Sequence, residues 1–479
     1  MPSPVVVSFL FFLLSFIVVG SLSALRGKST TEDYLVASRS VKPWAVALSA
    51  AATNNSGYMF IGLIGYVYAV GVSGSWLMVG WISGDYIAWH WVHRKLRERS
   101  HEQGAVTIPS FLGAGLGPNG RWVIRLAAVV TLLFLGVYAA AQLKAGSKAL
   151  AVLFGWDLAA GAIIGAVIVG IYSLAGGIRA SIWTDVLQAL LMLASMSVLL
   201  AVALARTGGV TGLWSSLAAI DPALVDPVPQ SLKFGFAAYL VSWIVAGLGV
   251  VGQPHIMVRA MTIDHPGNIS VARRVYVVWY ALFSAVCIVV GLTARVLLDP
   301  SSAADPELAL PLLATDLFPP LLVGMVLAGL FAATMSTADS QILSCSAAWT
   351  QDLFPRWRES YWHAKAGTLV TTMLVLGIAL SGSAGVFALV VPAWSALASA
   401  LGPLLVVRAL RRPIGVGTAL GMISAGLLCM LAWRYGLGLS DSIYDVLPGM
   451  AGGALFYLAK ERRYAGNDPR QTEARRGSG

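Results

Sequence analysis

The chain has 479 residues, of which 57% are hydrophobic and only 11% are charged, and its mean hydropathy is +0.77. This composition excludes a soluble globular protein and indicates an integral membrane protein. The net charge of +10 does not indicate nucleic-acid binding, because positively charged cytoplasmic loops of a membrane protein account for it.

Apolar stretches long enough to cross about 30 Å of hydrocarbon recur along the whole chain. We expect the stretch at 318–349, which exceeds one span, to end in a helical extension or a break. The pattern therefore predicts an all-α polytopic membrane protein with about thirteen transmembrane helices. The predicted spans, numbered 1 to 13, are 4–25, 44–70, 74–93, 122–152, 157–175, 182–205, 234–258, 275–298, 318–349, 366–382, 384–407, 415–434 and 443–459.

Span 1 begins MPSP and has no basic residue ahead of its apolar run, unlike a signal peptide. We therefore predict a retained span with the N-terminus outside. In that orientation 25 of the 32 Lys and Arg residues face the cytoplasm, Arg259 among them, as the positive-inside rule requires. The C-terminus is then cytoplasmic, and we expect a multi-pass protein of the inner (plasma) membrane.

Span 2 contains a polar tract where a membrane helix should be apolar. Residues 47–62 read ALSAAATNNSGYMFIG, with Thr53, Asn54, Asn55 and Ser56 followed by Gly57. Polar side chains in hydrocarbon are costly, and glycine weakens a helix. We predict that this stretch faces protein or water and that the helix is broken there.

Span 3 carries a charged residue, Asp85, in the stretch GWISGDYIAWH. This carboxylate either belongs to a proton or ion path or pairs with Lys144 or another polar partner, and the sequence leaves both alternatives open. Lys144 and Lys148 lie one turn apart in span 4, and we expect their long stems to extend toward the outer interface.

Span 7 ends in GLGVVGQPHIMVR, residues 247–259, where three glycines and Pro254 weaken the helix. Spans 2 and 7 are then both interrupted and lie five spans apart, which predicts the inverted repeat of a secondary transporter. For span 7 alone, close helix packing through small residues is an equal alternative. The predicted units are an extra N-terminal span at 1–25, repeats at 26–206 (spans 2–6) and 207–412 (spans 7–11), two C-terminal spans at 413–459 and a cytoplasmic tail at 460–479.

Span 9 contains AGLFAATMSTADSQILSCSAAW, residues 328–349, with Ser336, Thr337, Asp339 and Ser340 close together. Hydroxyl oxygens near carbonyls freed by a broken helix are ligands that suit Na⁺. The alternative is that these hydroxyls bond back to the preceding turn of their own helix.

Four stretches taken together resemble the sodium:solute symporter family over nearly the whole chain. They are ALSAAATNNSGYMFIGLIGYVY, YSLAGGIRASIWTDVLQALLM, GQPHIMVRAM and AATMSTADSQIL. Within that family the chain is most similar to the bacterial sodium/proline symporters. The resemblance implies thirteen helices with a five-plus-five inverted repeat, and a Na⁺-coupled symporter, not an enzyme, that imports an amino acid such as proline by alternating access.

The resemblance also implies where cations bind. One Na⁺ would lie between spans 2 and 9, some family members hold a second cation nearby, and one carboxylate of that second site could carry a proton instead. The alternative for Asp185 is a structural role near the cytoplasmic surface, bonded to Arg179. The matching first-site ligands are the carbonyls of Ala52, Asn55 and Ala333 and the hydroxyls of Ser336 and Thr337, and the second-site positions are Asp185, Asp339 and Ser340.

The solute, by the same resemblance, contacts the break in span 2 together with spans 4 and 7. Free amides at the break suit a carboxylate, and Tyr138 and Gln142 share one helix face. Ordinary interhelical packing is the alternative for that pair. The matching positions are Asn54, Ser56, Gly57, Tyr58, Tyr138, Gln142, Ala246, Val250 and Pro254.

Three features depart from the proline symporters. Asn54 stands where they have an acidic residue, Ala246 and Val250 stand where they have two large aromatics, and Tyr58 stands where they have tryptophan. Because this chain lacks that carboxylate, its Na⁺ affinity or its coupling is expected to differ from that of the proline symporters. The lost aromatics predict an enlarged pocket with less stacking surface, so a larger amino acid or another small carboxylate is the alternative solute.

Two other classes of function are weaker alternatives. A transporter-like sensor usually carries an appended signalling domain, and about twenty residues follow the last predicted span. A channel or uniporter has only Asn54 in its favour. The predicted partners are a small solute, Na⁺ and the lipid bilayer, without nucleic acid, and the sequence indicates no oligomeric state.

Overall fold

The computed structural model of the protein describes residues 3–25, 27–230, 232–299, 305–381 and 386–466. Within these ranges the chain is helical apart from connecting turns, and extended backbone pairs at a single parallel bridge, between Val41 and Ile263. The last helix continues to Gly466, and the remainder of the predicted tail lies outside the described residues.

Helices occupy the positions of all thirteen predicted spans in the described ranges. Their bounds are Pro4–Ala24; Pro43–Gly57, Tyr58–Leu63 and Ile64–Val70; Ser75–Trp91; Gly120–Val130, Thr131–Leu135 and Gly136–Phe154; Leu158–Arg206 for spans 5 and 6; Gly235–Leu248, Gly249–Gly252 and Pro254–Thr262; Ile269–Leu297; Pro320–Ala347 and Ala348–Leu353; Tyr361–Ser381; Val386–Ala409; Val416–Leu431 and Ala432–Gly436; and Val446–Gly466. Shorter helices outside the spans are Thr31–Val36, Ala37–Arg39, Gly71–Gly74, His93–Glu102, Ile108–Gly113, Gly209–Ile220, Pro222–Val225, Pro266–Asn268, Pro306–Leu308, Ala309–Leu317 and Pro355–Trp357.

Spans 5 and 6 are joined without the loop that the sequence predicts at 176–181. Gly177 alone turns the chain, with φ 55° and ψ −140°. A Cβ at this position would lie 2.4 Å from the carbonyl oxygen of Tyr34, so both the backbone conformation and the space require glycine. The long stretch of span 9 ends, as expected, in a helical extension, the wider turn Ala348–Leu353.

Spans 2 and 7 are both interrupted. Ser56 has φ 27° and ψ 179°, which breaks the helix of span 2 directly after the polar tract. In span 7 a tight 3₁₀ turn at Gly249–Gly252 is followed by the extended residue Gln253, and the helix resumes at Pro254, where a missing N–H is tolerated. The prediction of an all-α polytopic fold with breaks in spans 2 and 7 is confirmed.

Span 9 lies at the centre of the molecule. In its most apolar window 83% of residues are buried, against 22% for span 1 at the periphery. It packs on spans 1, 2, 4, 5 and 6. The hydroxyl-bearing residues near Ser336 are therefore enclosed by protein and face the break in span 2, not lipid.

Spans 3 and 7 approach each other closely through glycines. A Cβ on Gly84 would lie 1.8 Å from the carbonyl oxygen of Ile244, and one on Gly247 would lie 1.9 Å from the carbonyl oxygen of Trp81. Backbone atoms cannot move aside as a side chain can, so neither position has room for alanine.

We expect Gly84→Ala to lower the free energy of unfolding by ~1–3 kcal/mol, the usual range for overpacking. The measurement is the thermal unfolding temperature of the purified protein in detergent. Gly136→Ala in span 4 is the matched control, because no atom lies within 4 Å of its added Cβ. Equal unfolding temperatures for the two variants would contradict the close packing of spans 3 and 7.

Candidate functional site

A cavity of about 410 Å³ extends from the break in span 2 toward the loop between spans 12 and 13. Its inner end is formed by Asn54, Ser56, Tyr58 and Tyr138, and the side chain of Tyr138 lies next to the hydroxyl of Ser56. In the predicted orientation that loop is extracellular, so the cavity is open on the outer side.

On the side that the sequence predicts to face the cytoplasm, the described residues close around a much smaller space. A small cavity beside Pro254 and Val258 has a volume of about 20 Å³, with room for about one water molecule. The buried guanidinium of Arg39 donates to the carbonyl of Ala105 at 2.7 Å, and that of Arg97 to the carbonyl of Ile263 at 2.7 Å. These contacts tie the inner ends of spans 2, 3 and 7 together, as expected of an outward-facing transporter.

An ion pair adds to this closure. Arg179 binds Asp33 at 2.5 Å and so holds the short helix Thr31–Val36 against the turn between spans 5 and 6. Burial alone would raise the pKa of the Asp33 carboxyl, but hydrogen bonds from Arg179 and Ser38 hold that pKa below its usual value. Arg179 is therefore not the partner of Asp185 that the sequence offered as an alternative.

Of the nine predicted solute-binding residues, four line the cavity: Asn54, Ser56, Tyr58 and Tyr138. The amide of Gly57, expected to be free for a carboxylate, donates to Oε1 of Gln142 at 2.9 Å. The N–H group that the helix break exposes is therefore already bonded to a side chain of span 4. The five residues outside the lining of this cavity are Gly57, Gln142, Ala246, Val250 and Pro254.

The cavity wall is strongly aromatic, in contrast to the predicted loss of stacking surface. Trp394 of span 11 donates from Nε1 to the carbonyl of Ala246 at 3.3 Å, and its ring lies 4.8 Å from that of Trp81. Rings from spans 3 and 11 therefore cover the place where span 7 has only small side chains. The aromatic lining residues are Tyr58, Tyr66, Trp81, Tyr138, Tyr239, Trp243, Tyr280, Trp394 and Tyr444.

The predicted Na⁺ ligands lie together between spans 2 and 9. The hydroxyl of Thr337 is 2.9 Å from the carbonyl oxygen of Thr53 and 3.1 Å from that of Ala333. Because a hydroxyl has one proton, it can donate to only one of these carbonyls at a time. Ser336 and Asn55 are fully buried nearby; the Ser336 hydroxyl lies next to the Asp185 carboxylate, and Asn55 Oδ1 has no hydrogen-bond partner among the described residues. Buried oxygen acceptors without donors are suited to a cation.

The second predicted cation site is also assembled. Ser340 donates to Asp339 Oδ1 at 2.8 Å, and Ser49 donates to Asp185 Oδ2 at 2.6 Å. Both carboxylates are fully buried. The Tyr172 hydroxyl lies next to Asp339 and the Ser336 hydroxyl next to Asp185, but Asp185 Oδ1 and Asp339 Oδ2 form no hydrogen bond of good geometry with the described residues.

Arg259 belongs to the same buried cluster, although its place directly after an apolar run predicts a residue of a cytoplasmic loop. The helix after the break continues to Thr262, and the Arg259 side chain is only 1% exposed. Its NH2 lies 3.3 Å from Asp185 Oδ2 and 2.7 Å from Ser181 Oγ, and also donates to Ser340. An arginine directly after an apolar run resembles a loop residue, and only its position inside the resumed helix would have revealed it.

Asp85 lies behind the inner end of the cavity and does not pair with Lys144. Its Oδ2 accepts from Nδ2 of Asn54 at 3.0 Å and from the hydroxyl of Tyr276. Lys148 forms an ion pair with Glu307 at 2.5 Å, in the predicted outer loop. A carboxylate is therefore present at the break after all, supplied by span 3 instead of span 2.

Comparison with known sequences agrees with this architecture. A sequence profile of the sodium:solute symporter family matches residues 34–420. The sodium/proline symporter of Escherichia coli (strain K12) is 30% identical over 469 residues, which cover 95% of this chain and 92% of the relative. A high-affinity proline transporter of Bacillus subtilis (strain 168) is 29% identical over 443 residues, 90% of this chain and 92% of the relative.

Solved structures share the fold. A Na⁺-coupled sialic acid symporter in a substrate-bound, outward-open state superposes with a TM-score of 0.80 at 18% identity, covering 95% of this chain and 96% of that one. The nucleobase-cation-symport transporter Mhp1 in a closed conformation superposes with a TM-score of 0.58 at 16% identity, covering 91% and 95%. At these identities the likeness concerns the fold alone.

Proposed function

This chain belongs to the sodium:solute symporter family, and we propose that proline is the solute that it carries together with Na⁺. It is a multi-pass membrane protein and a Na⁺-coupled symporter of a small organic solute. The relatives that are sodium/proline symporters support proline. The observation that carries the mechanism is the contact between the broken span 2 and the Thr337 hydroxyl of span 9.

The first Na⁺ is held, in this proposal, by the carbonyls and hydroxyls predicted from the sequence. Its binding joins span 2 to span 9, because each span supplies part of the ligand set, and so fixes the shape of the cavity's inner end. Solute and Na⁺ then raise each other's affinity by the same factor. The proposed ligands are Ala52, Asn55, Ala333, Ser336 and Thr337.

A second cation is proposed beside Arg259. Two ionised carboxylates and one guanidinium leave a net charge of about −1 in a buried cluster, which one monovalent cation would neutralise. The acceptors without well-formed hydrogen bonds, Asp185 Oδ1 and Asp339 Oδ2, support this position. The Ser340 hydroxyl joins Asp339 to Arg259, and Arg259 in turn contacts Asp185.

Proline would occupy the inner end of the cavity. The hydroxyls of Ser56 and Tyr138 are donors for its carboxylate, and the rings of Tyr58 and Trp81, whose centroids are 6.3 Å apart, offer apolar surface to its pyrrolidine. The cavity volume of about 410 Å³ leaves room for a larger amino acid, which is the second candidate solute. Another small carboxylate remains the further alternative from the sequence. We place the N-terminus outside and the C-terminus in the cytoplasm, as the charge distribution predicts.

Uptake by purified protein in proteoliposomes tests this function. We expect labelled proline to accumulate above equilibrium with an inward Na⁺ gradient and not with a K⁺ gradient of equal ionic strength. Equal uptake with the two gradients would contradict Na⁺ coupling. Competition by unlabelled amino acids and small carboxylates separates the solutes, and a competitor more effective than proline would replace it.

A further inference from the structure

The side chains of Asp85, Asn54 and Tyr276 form a buried polar cluster beside the cavity, and Asn54 belongs both to this cluster and to the cavity lining. Asp85 is 1% exposed and belongs to span 3, Asn54 lies just before the break in span 2, and Tyr276 is in span 8. Asp85 Oδ2 accepts from Asn54 Nδ2 at 3.0 Å and from the Tyr276 hydroxyl, while Asn54 Nδ2 also lies 2.6 Å from that hydroxyl.

Two oxygens in this cluster have no donor. Asp85 Oδ1 and Asn54 Oδ1 are both buried and without a hydrogen-bond partner among the described residues. They belong to two planar groups that are already joined by the bond from Asn54 Nδ2 to Asp85 Oδ2. A proton on Asp85 Oδ1 would turn that oxygen into a donor, and Asn54 Oδ1, in the amide that is bonded to the same carboxyl group, is a buried acceptor that lacks a donor.

The surroundings favour a proton over a metal ion or a basic side chain. Ca²⁺ and Mg²⁺ take about six oxygen ligands or more, and two oxygens of this cluster lack a donor among the described residues, fewer than the five ligands proposed for Na⁺. Asp85 forms no ion pair in the described ranges; its hydrogen-bond partners are Asn54 and Tyr276.

The other titratable groups near Asp85 do not neutralise it. Span 8 presents the phenols of Tyr276 and Tyr280, and span 7 presents the backbone around Ile244 to the neighbouring Gly84. On the inner side, His93 stacks on Trp89, with ring centroids 4.1 Å apart, about 12 Å along the helix from Asp85. His90 pairs there with Arg273, and that pair is exposed.

We infer that Asp85 is a proton-binding site linked to the transport cavity through Asn54. Asn54 lines the cavity and is bonded to Asp85, which does not line it. Cavity water beside Asn54 is therefore the source of the proton that binds Asp85 Oδ1. Binding converts the carboxylate to a carboxylic acid, and release returns the same proton to water. No other bond forms or breaks.

The inference rests on the proposed Na⁺ coupling for its effect on transport. Ionised Asp85 places a negative charge beside the break in span 2, and protonation removes it. Acid should therefore weaken the attraction of the site for Na⁺, and the coupling is reciprocal. We expect the Na⁺ concentration for half-maximal uptake to rise at least about fivefold between about pH 8.5 and about pH 5.5, the lower end of usual coupling factors.

The test compares Asp85→Asn with Asp157→Asn in proteoliposomes. Asparagine resembles the protonated acid, since its NH₂ can donate to Asn54 Oδ1. At every pH, Asp85→Asn should therefore need the Na⁺ concentration for half-maximal uptake that the wild type needs at acidic pH. Asp157 is an exposed helix cap on the outer surface, and its variant should keep the pH dependence of the wild type. Asp85→Asn with an unchanged pH dependence, or a wild type without any, would overturn the inference.

A measurement without transport separates this inference from the proposed function. Infrared difference spectra of the purified protein should show a carboxylic-acid carbonyl band that grows on acidification and is missing in Asp85→Asn. Tyr276→Phe removes a donor to the ionised carboxylate and should move the midpoint of this band to higher pH. The band would persist even if proline is the wrong solute. A spectrum identical in wild type and Asp85→Asn would overturn the inference.

Discussion

Replacing Thr337 by valine should raise the Na⁺ concentration for half-maximal uptake by about 10- to 100-fold, because a hydrogen-bonding contact to a charged group contributes ~1.5–3 kcal/mol. Valine keeps the shape of threonine and removes the oxygen that contacts Thr53 of span 2 and Ala333 of its own helix. The proposed site would lose the hydroxyl that bonds to the backbone of span 2. Ser336→Ala should act in the same direction.

Thr334→Val is the matched control for this measurement. Thr334 lies one turn earlier on the same buried helix, but its hydroxyl donates to Phe331 of span 9 itself. The substitution is chemically identical and should leave the Na⁺ requirement within about twofold of the wild type, because the Thr334 hydroxyl bonds within its own helix and is not a proposed ligand. If the two valine variants shift the Na⁺ requirement equally, the proposed ligand set is misplaced.

Replacing Arg259 by glutamine should abolish uptake and destabilise the protein by ~3–5 kcal/mol, the cost of leaving buried carboxylates without their partner. The guanidinium lies between Asp185 and Ser181 and reaches Ser340, so several contacts between spans 6, 7 and 9 depend on it. Thermal unfolding in detergent and uptake in proteoliposomes measure the two effects. Arg274→Gln, at an exposed position on the inner end of span 8, is the control and should change neither.

A second substitution distinguishes charge from packing. Asp339→Asn in the Arg259→Gln background removes one of the two uncompensated carboxylates and returns the net charge of the cluster to that of the wild type. We expect it to recover much of the lost stability without recovering uptake, because the cation site stays incomplete. If stability does not recover, the loss in Arg259→Gln comes from packing and not from unpaired charge.

In the predicted orientation the cavity opens outward and the contacts of Arg39, Arg97 and Arg179 lie on the cytoplasmic side, which is the arrangement expected at the outward-facing end of the transport cycle. Inward opening must separate the contacts of Arg39, Arg97 and Arg179 that hold the inner ends together. It must do so without breaking the Arg259 cluster, if that cluster carries a cation inward. The breaks at Ser56 and Gln253 are the places where the backbone can absorb such a movement.

The sequence by itself determined the membrane class, the spans and the two breaks. These follow from local properties, since insertion depends on hydropathy over about 20 residues and helix interruption on the polar residues, Gly and Pro within one stretch. The hydroxyls of Ser336 and Thr337 could be identified for the same reason, because a polar pair in an apolar run is visible without knowing its neighbours. What the sequence could not indicate was the joint at Gly177, where one left-handed residue replaces a loop.

The tertiary structure alone decided which groups face each other at the site. Gln142 accepts from the amide of Gly57, Trp394 donates to the carbonyl of Ala246, and Arg259 forms an ion pair with Asp185 of span 6. Asp85 replaces the charge that position 54 lacks, from 31 residues away in the chain. Each of these pairings joins spans that pack together only after insertion, and the burial that gives a polar or charged pair its strength is a property of the packed bundle, not of either residue's local sequence.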